Sequence, residues 1–204
     1  LRVTNRPRTD PDADPHHVVL WNTTEMPDDY LVEFTCEPDD TKQGLAILVF
    51  SAQGSRGESP FSLTMPYRGG SYVRTFKSDV SSYHVSYFAQ NPPAGDDPRS
   101  LQPRRTSNLR KNAGAWKASS GEDLIYGAAP GPHTIRALKL GGHIQIEVDG
   151  RLALEWYDDG SHVGDVLSKG LIAFRTMGHT ESITYGSLRV WEITGGKTKF
   201  TSKQ

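Results

Sequence analysis

Cysteine is nearly absent from this sequence: the single Cys36 excludes an internal disulfide and any cysteine-rich zinc cluster. It reads as a packed strand residue rather than a reactive thiol. Net charge is nearly absent too. The 23 Lys and Arg almost cancel the 24 Asp and Glu, so no overall field draws nucleic acid or an anionic membrane, and any basic site must be local. No apolar run approaches membrane-spanning length. There is no phosphate-cradling glycine loop before a helix, no HExxH, no GxSxG and no EF-hand loop. No cofactor and no metal-ligand set is therefore expected, although a structural calcium ion bracing the fold stays open. The chain shown opens at Leu1 with no apolar leader, and one cysteine suits either compartment, so secreted and cytoplasmic locations both stay open.

What the sequence does hold is sheet-forming residues. The 204 residues fit one domain, and a hydrophobic fraction of 35% rich in aromatic and β-branched types suits sheets with one buried and one wet face. Residues 1–16 are rich in Arg, Asp and Pro and read as an extended N-terminal arm, 17–196 as a single β-sandwich domain, and 197–204 as a tail. Short apolar runs alternate with Gly, Pro and Asp breaks, and no amphipathic helix is evident. Strands are expected at 17–22, 30–37, 43–52, 71–76, 83–90, 106–112, 122–126, 132–140, 143–149, 151–156, 170–176 and 182–193. Ile144, Ile146 and Val148 alternate with His143, Gln145, Glu147 and Asp149, marking a half-buried strand, and Asp149-Gly150 signals a hairpin into the next. Leu45 to Phe50 is apolar throughout and belongs in a strand covered on both sides. The fold class is all-β, an antiparallel β-sandwich of the concanavalin A-like jelly-roll kind.

The chemistry concentrates in two segments, Ser82 to Gln90 and Thr106 to Asn112, joined by a proline-rich stretch. Alternation puts His84, Ser86, Phe88 and Gln90 on one face of the first strand, with Tyr83, Val85, Tyr87 and Ala89 on the other. In the second, Asn108, Arg110 and Asn112 share a face. Paired, the strands would display His84, Gln90, Asn108 and Arg110 together, a set too polar for a core. Amides, guanidinium forks and aromatic rings match the hydroxyl pairs and weakly apolar faces of sugars. Arg104, Arg105, Arg110 and Lys111 form a local basic cluster, which suits an anionic saccharide such as a uronate. The bland alternative is a solvated sheet face. Further along, Ile172 and Phe174 face the core, which turns Arg175 the other way, and His179 sits in the turn that follows. The Asp158-Asp159 pair reads as an Asx turn, with calcium binding or catalysis as alternatives.

Several stretches together resemble the YesU-like family of the concanavalin A-like lectin/glucanase superfamily, long labelled a domain of unknown function. They are His17-Val-Val-Leu-Trp21, Tyr83-His-Val-Ser-Tyr87, Ser107-Asn-Leu-Arg-Lys-Asn112, His133-Thr-Ile-Arg136 with Val148-Asp-Gly150, and Ile172-Ala-Phe-Arg-Thr-Met177. The resemblance implies a β-sandwich and a part in polysaccharide metabolism, without implying a reaction.

Three functions are compatible with these residues. A polysaccharide lyase would cleave a uronate-containing glycan by β-elimination, with Arg110 beside Lys111 or Arg175 neutralising the carboxylate, His84 or His179 as base and Tyr83 or Tyr87 as acid. Alternation sets the two tyrosines against His84, which weighs on that last role. A glycoside hydrolase would need two carboxylates, with Glu33, Glu37, Glu155 and Asp158 as candidates by residue type. The compact Glu-x-Asp-x-x-Glu strand of sandwich β-glucanases is missing, since Glu147-Val-Asp149 is followed by Leu152. A lectin-like module would bind through the same polar face without turnover. In each case the expected partner is a polysaccharide or oligosaccharide, with catalytic candidates His84, His179, Arg110 and Tyr87 and binding candidates Tyr83, Gln90, Asn108, Lys111 and Arg175.

Overall fold

In the computed structural model the residues described are 1–4, 17–66, 79–90, 106–177 and 180–195. Among them there is no helix. Twelve strands appear in chain order: β1 (Arg2–Thr4), β2 (His17–Trp21), β3 (Tyr30–Pro38), β4 (Gly44–Gly54), β5 (Val80–Gln90), β6 (Thr106–Asn112), β7 (Trp116–Glu122), β8 (His133–Leu140), β9 (His143–Val148), β10 (Arg151–Tyr157), β11 (Leu171–Met177) and β12 (Ser182–Glu192). They form two antiparallel sheets, ordered β1-β12-β3-β8-β9-β10 and β2-β11-β4-β5-β6-β7, here called the β3 sheet and the β5 sheet. The all-β sandwich expected from the alternation is the fold.

The core lies between the sheets. β3 alternates Tyr30, Val32, Phe34 and Cys36 inward with Glu33, Thr35 and Glu37 outward, as a half-buried strand must. Phe34 meets Phe174 and Tyr87 edge-on, with ring centroids 4.7 and 5.6 Å apart. The uninterrupted apolar run of β4 is explained by its position. Ala46, Leu48 and Phe50 join the core, while Ile47 and Val49 join a second apolar cluster on the outer face of the β5 sheet, with Val80, Leu171 and Ala173. The Asp149-Gly150 hairpin forms with φ of 51° and 76°, the left-handed pair that a two-residue turn between strands requires.

Sequence pattern and structure part at three places. Val3 of β1 is buried in the core and its strand pairs with β12, so the first residues of the expected arm are part of the sandwich. The strand expected at 122–126 is a turn: Asp123 Oδ1 accepts the amide hydrogens of Ile125 and Tyr126, each at 3.1 Å. β7 precedes it and escaped notice because Lys117, Ser119 and Ser120 carry no apolar alternation. Gly121 lets β7 lie against β10, since a Cβ there would collide with the Ala153 carbonyl. The strand expected at 71–76 lies outside the described residues.

Candidate functional site

The outer face of the β5 sheet is assembled by register. One transverse row runs Trp21, Ala173, Val49, His84, Arg110 across β2, β11, β4, β5 and β6. The next row of the same face runs Val19, Arg175, Ile47, Ser86, Asn108. His84, Asn108, Arg110 and Arg175, chosen by alternation alone, thus share one surface. His84 and Arg175 lie low in it, 3% and 4% exposed, while Trp21, Asn108 and Arg110 are half-buried. Phe61 meets Trp21 edge-on at 5.6 Å.

His84 is held on its Nδ1 side. Asn112 Nδ2 lies 3.0 Å from His84 Nδ1 and donates to Ser82 Oγ at 2.9 Å. Burial first, then the Arg175 and Arg110 guanidiniums, push the His84 pKa down to about 3. The imidazole is therefore neutral at any physiological pH. Arg110 Nη1 donates to the Ala115 carbonyl at 2.7 Å, which ties it to the β6–β7 hairpin.

The other expected site residues turn elsewhere. Between Ala46↔Phe88 and Ile47↔Ser86 the register slips, making Tyr87 the extra residue of a bulge. Beyond it alternation inverts: Phe88 enters the core, and Gln90 leaves the His84 face to donate from Nε2 to Asp123 Oδ2 at 2.8 Å. Tyr87 is fully buried between the sheets, where burial holds its hydroxyl pKa well above the ordinary value, so it cannot serve as an acid on the outer face. Tyr83 also points inward and donates to Asp158 Oδ2 at 2.5 Å while accepting from the Leu167 amide at 3.0 Å. Lys111, paired with Tyr83 in register, forms an ion pair with the same Asp158 oxygen at 2.7 Å and donates to the Gly164 carbonyl at 2.6 Å. Tyr83 and Lys111 anchor residues 158–167 rather than a ligand. His179 lies outside the described residues.

The carboxylates considered for hydrolysis do not gather on this face. Glu33 and Glu37 point outward from the β3 sheet, and Glu33 binds Arg136 at 2.7 Å. Glu155 of the same sheet accepts from Gln145 at 2.6 Å and lies 2.5 Å from His143 Nε2. Asp158 Oδ1 and Asp159 Oδ1 accept the Gly160 and Ser161 amides, closing Asx turns. Among the described residues no three His, Cys, Asp or Glu side chains are placed to hold a metal ion. An open cleft of about 590 Å³ lined by Met26, Asp28, Lys169 and Glu192 includes none of the expected site residues.

Sequence reasoning missed Trp21 and the part played by Asn112. Trp21 joins the face only because β2 pairs with β11, a long-range pairing that local pattern does not announce.

Two six-stranded antiparallel sheets with a polar group on one outer face define a lectin/glucanase-type sandwich. Residues 4–190 match the family described as "Domain of unknown function (DUF1961)", and the chain belongs to that family. It is 34% identical over 172 residues to the uncharacterized protein YesU of Bacillus subtilis (strain 168), covering 83% of this chain and 75% of that one. Among solved structures, a Bacillus subtilis protein of unknown function with a galectin-like fold superposes with a TM-score of 0.77 at 31% identity, covering 93% of this chain and 86% of that one. At 10% identity, where likeness speaks for the fold alone, the VIP36 exoplasmic/lumenal domain in its Ca2+/Man2-bound form gives a TM-score of 0.58, covering 97% and 78%. The carbohydrate-binding module CBM66 from Bacillus subtilis gives 0.51 at 10% identity, covering 93% and 94%.

Proposed function

We propose that this chain is a carbohydrate-active protein that takes an acidic oligosaccharide or polysaccharide against the outer face of the β5 sheet. The observation that carries this reading is the cross-strand group of Arg110, His84 and Arg175, two guanidiniums about a neutral imidazole. Guanidinium forks match carboxylates in bidentate fashion, and the half-buried Trp21 and Asn108 of the same rows offer a ring face and an amide to a sugar. Fold neighbours whose names record bound mannose or a carbohydrate-binding module support a sugar partner.

Of the reactions compatible with this group, β-elimination fits its charges best. Cations that neutralise a uronate carboxylate make the neighbouring carbon acid easier to deprotonate. The inward turn of Tyr83 and Tyr87 removes them as the acid, so a proton donor has to come from elsewhere on the face. A two-carboxylate hydrolysis is disfavoured because Glu33 and Glu155 belong to the other sheet and Asp158 is neutralised by Lys111. A binding module without turnover uses the same contacts.

The test is a panel of uronate-containing and neutral glycans incubated with the full chain. It is read by calorimetric binding, by ultraviolet absorbance of unsaturated products and by reducing ends. Binding of acidic glycans with new absorbance is the expected result. Reducing ends without absorbance would mean hydrolysis, and binding with intact ligand a lectin-like module. Failure of every glycan to bind overturns the reading. Arg110→Ala should weaken binding about tenfold or more, the cost of one charge-assisted bond.

A further inference from the structure

We infer that Lys117 is a specificity-determining residue: it stands beside Arg110 on the outer face of the β5 sheet, and the two cations together seat one carboxylate of an acidic sugar. The inference rests on the sugar reading above for the ligand, and on strand register alone for the pairing of the cations.

The pairing is made by a bulge. Along β7, Ser119 stands opposite Leu109 and turns inward, donating from Oγ to the Glu155 carbonyl of the other sheet at 3.1 Å. Counting by twos from Ser119 would turn Lys117 inward as well. Between Leu109 and Arg110, however, the register slips, and Ala118 becomes the extra residue, packed against the core. Lys117 is thereby set opposite Arg110 on the outer side, and Trp116 opposite the inward Lys111, where it meets Trp156 with ring centroids 6.1 Å apart. Arg110 is half-buried and tied through Nη1 to the Ala115 carbonyl at 2.7 Å, whereas Lys117 is exposed. Among the described residues neither cation forms an ion pair. Glu122 of β7 lies two rows along the same face, about 13 Å by strand rise, and faces Arg151 at 3.5 Å. Like charges directly opposite in an antiparallel pair repel, so the hairpin carries a cost that an outside anion can remove. Sugar hydroxyls leave the repulsion in place. A carboxylate relieves it and accepts hydrogen bonds from guanidinium and ammonium together. The neighbouring row, Asn108 and Ser120, is uncharged, so the pair addresses one carboxylate and leaves an amide and a hydroxyl for the ring.

The experiment uses the full chain and variants of Lys117, an exposed side chain whose replacement leaves the buried Lys111 pair intact. Its first arm needs no ligand. Thermal unfolding at low salt should shift upward in Lys117→Gln, and further in Lys117→Glu, by about 1 to 3 °C, and high salt should erase the shift. A midpoint that Lys117→Glu leaves unchanged or lowers overturns the cation pair. The second arm measures calorimetric binding of trigalacturonate and of its methyl ester, the same sugar without the charge. Wild type should prefer the acid. Lys117→Gln should weaken acid binding about threefold to fivefold and leave ester binding unchanged, and Lys117→Arg should keep the preference. Acid binding that Lys117→Gln leaves untouched, or a loss shared equally by acid and ester, overturns the role of Lys117. Equal binding of both probes by wild type overturns carboxylate selection while sugar binding stands. Upward shifts in a protein that binds neither probe keep the cation pair and overturn its use for a sugar carboxylate, together with the sugar reading.

Discussion

The two sheets treat charge in opposite ways. On the outer face of the β3 sheet the charges alternate in sign across neighbouring strands: Arg189, Glu33 and Arg136 stand in register, and Glu155 meets His143 and Gln145. Such ladders lie largely in water and neutralise one another. On the β5 sheet burial first, and then two charges that are both positive, hold the His84 ring uncharged. The inner side of the same sheet buries a full ion pair, Lys111 with Asp158. Mutual neutralisation at the surface needs no partner from outside, whereas like-signed guanidiniums beside a buried imidazole disfavour its protonated form.

The contrast can be broken at its strongest point. Lys111→Met strands Asp158 in the interior and should cost about 3 to 5 kcal/mol in denaturant unfolding, the penalty for an uncompensated buried charge. Restoring balance with Lys111→Met and Asp158→Asn together should recover much of that loss. The next effect is acid sensitivity. Unfolded histidine accepts a proton near its ordinary pKa of about 6.5, while native His84 refuses it until about 3, so the unfolded state binds more protons in between and stability falls as pH falls through that window. By pH 4 the loss should be about 3 kcal/mol, and His84→Gln should flatten the profile of unfolding free energy against pH. The smallest effect belongs to the other sheet. Arg136→Ala, which breaks the contact with Glu33, should cost less than about 1 kcal/mol, and high salt should shrink the difference further. A surface loss as large as that of Lys111→Met would erase the distinction between the two sheets.

The legible parts of this molecule were those governed by neighbours in sequence. The β9–β10 hairpin followed from Asp149-Gly150 and the alternation before it, and the doubly covered β4 from its unbroken apolar run. Asn108 and Arg110 share a face because two residues along a strand return to the same side. Illegible were the features set by a partner strand. The bulge at Tyr87 exists only relative to β4, and it carried Phe88 and Gln90 off the face that counting by twos assigned them. β7 is polar because it is an edge strand whose burial comes from Gly121 lying close to β10.

By itself the amino-acid order determined the all-β class, several strands and which side chains of one strand travel together, because backbone pleating is a local property. Only the tertiary structure decided that Trp21, far away in the chain, would stand in the row of His84 and Arg110, and Arg175 in the row beside it. It also decided that Tyr83 and Lys111 would serve the interior. Which strands become neighbours is settled by burying one sheet against the other, a collective choice that no short stretch of residues contains.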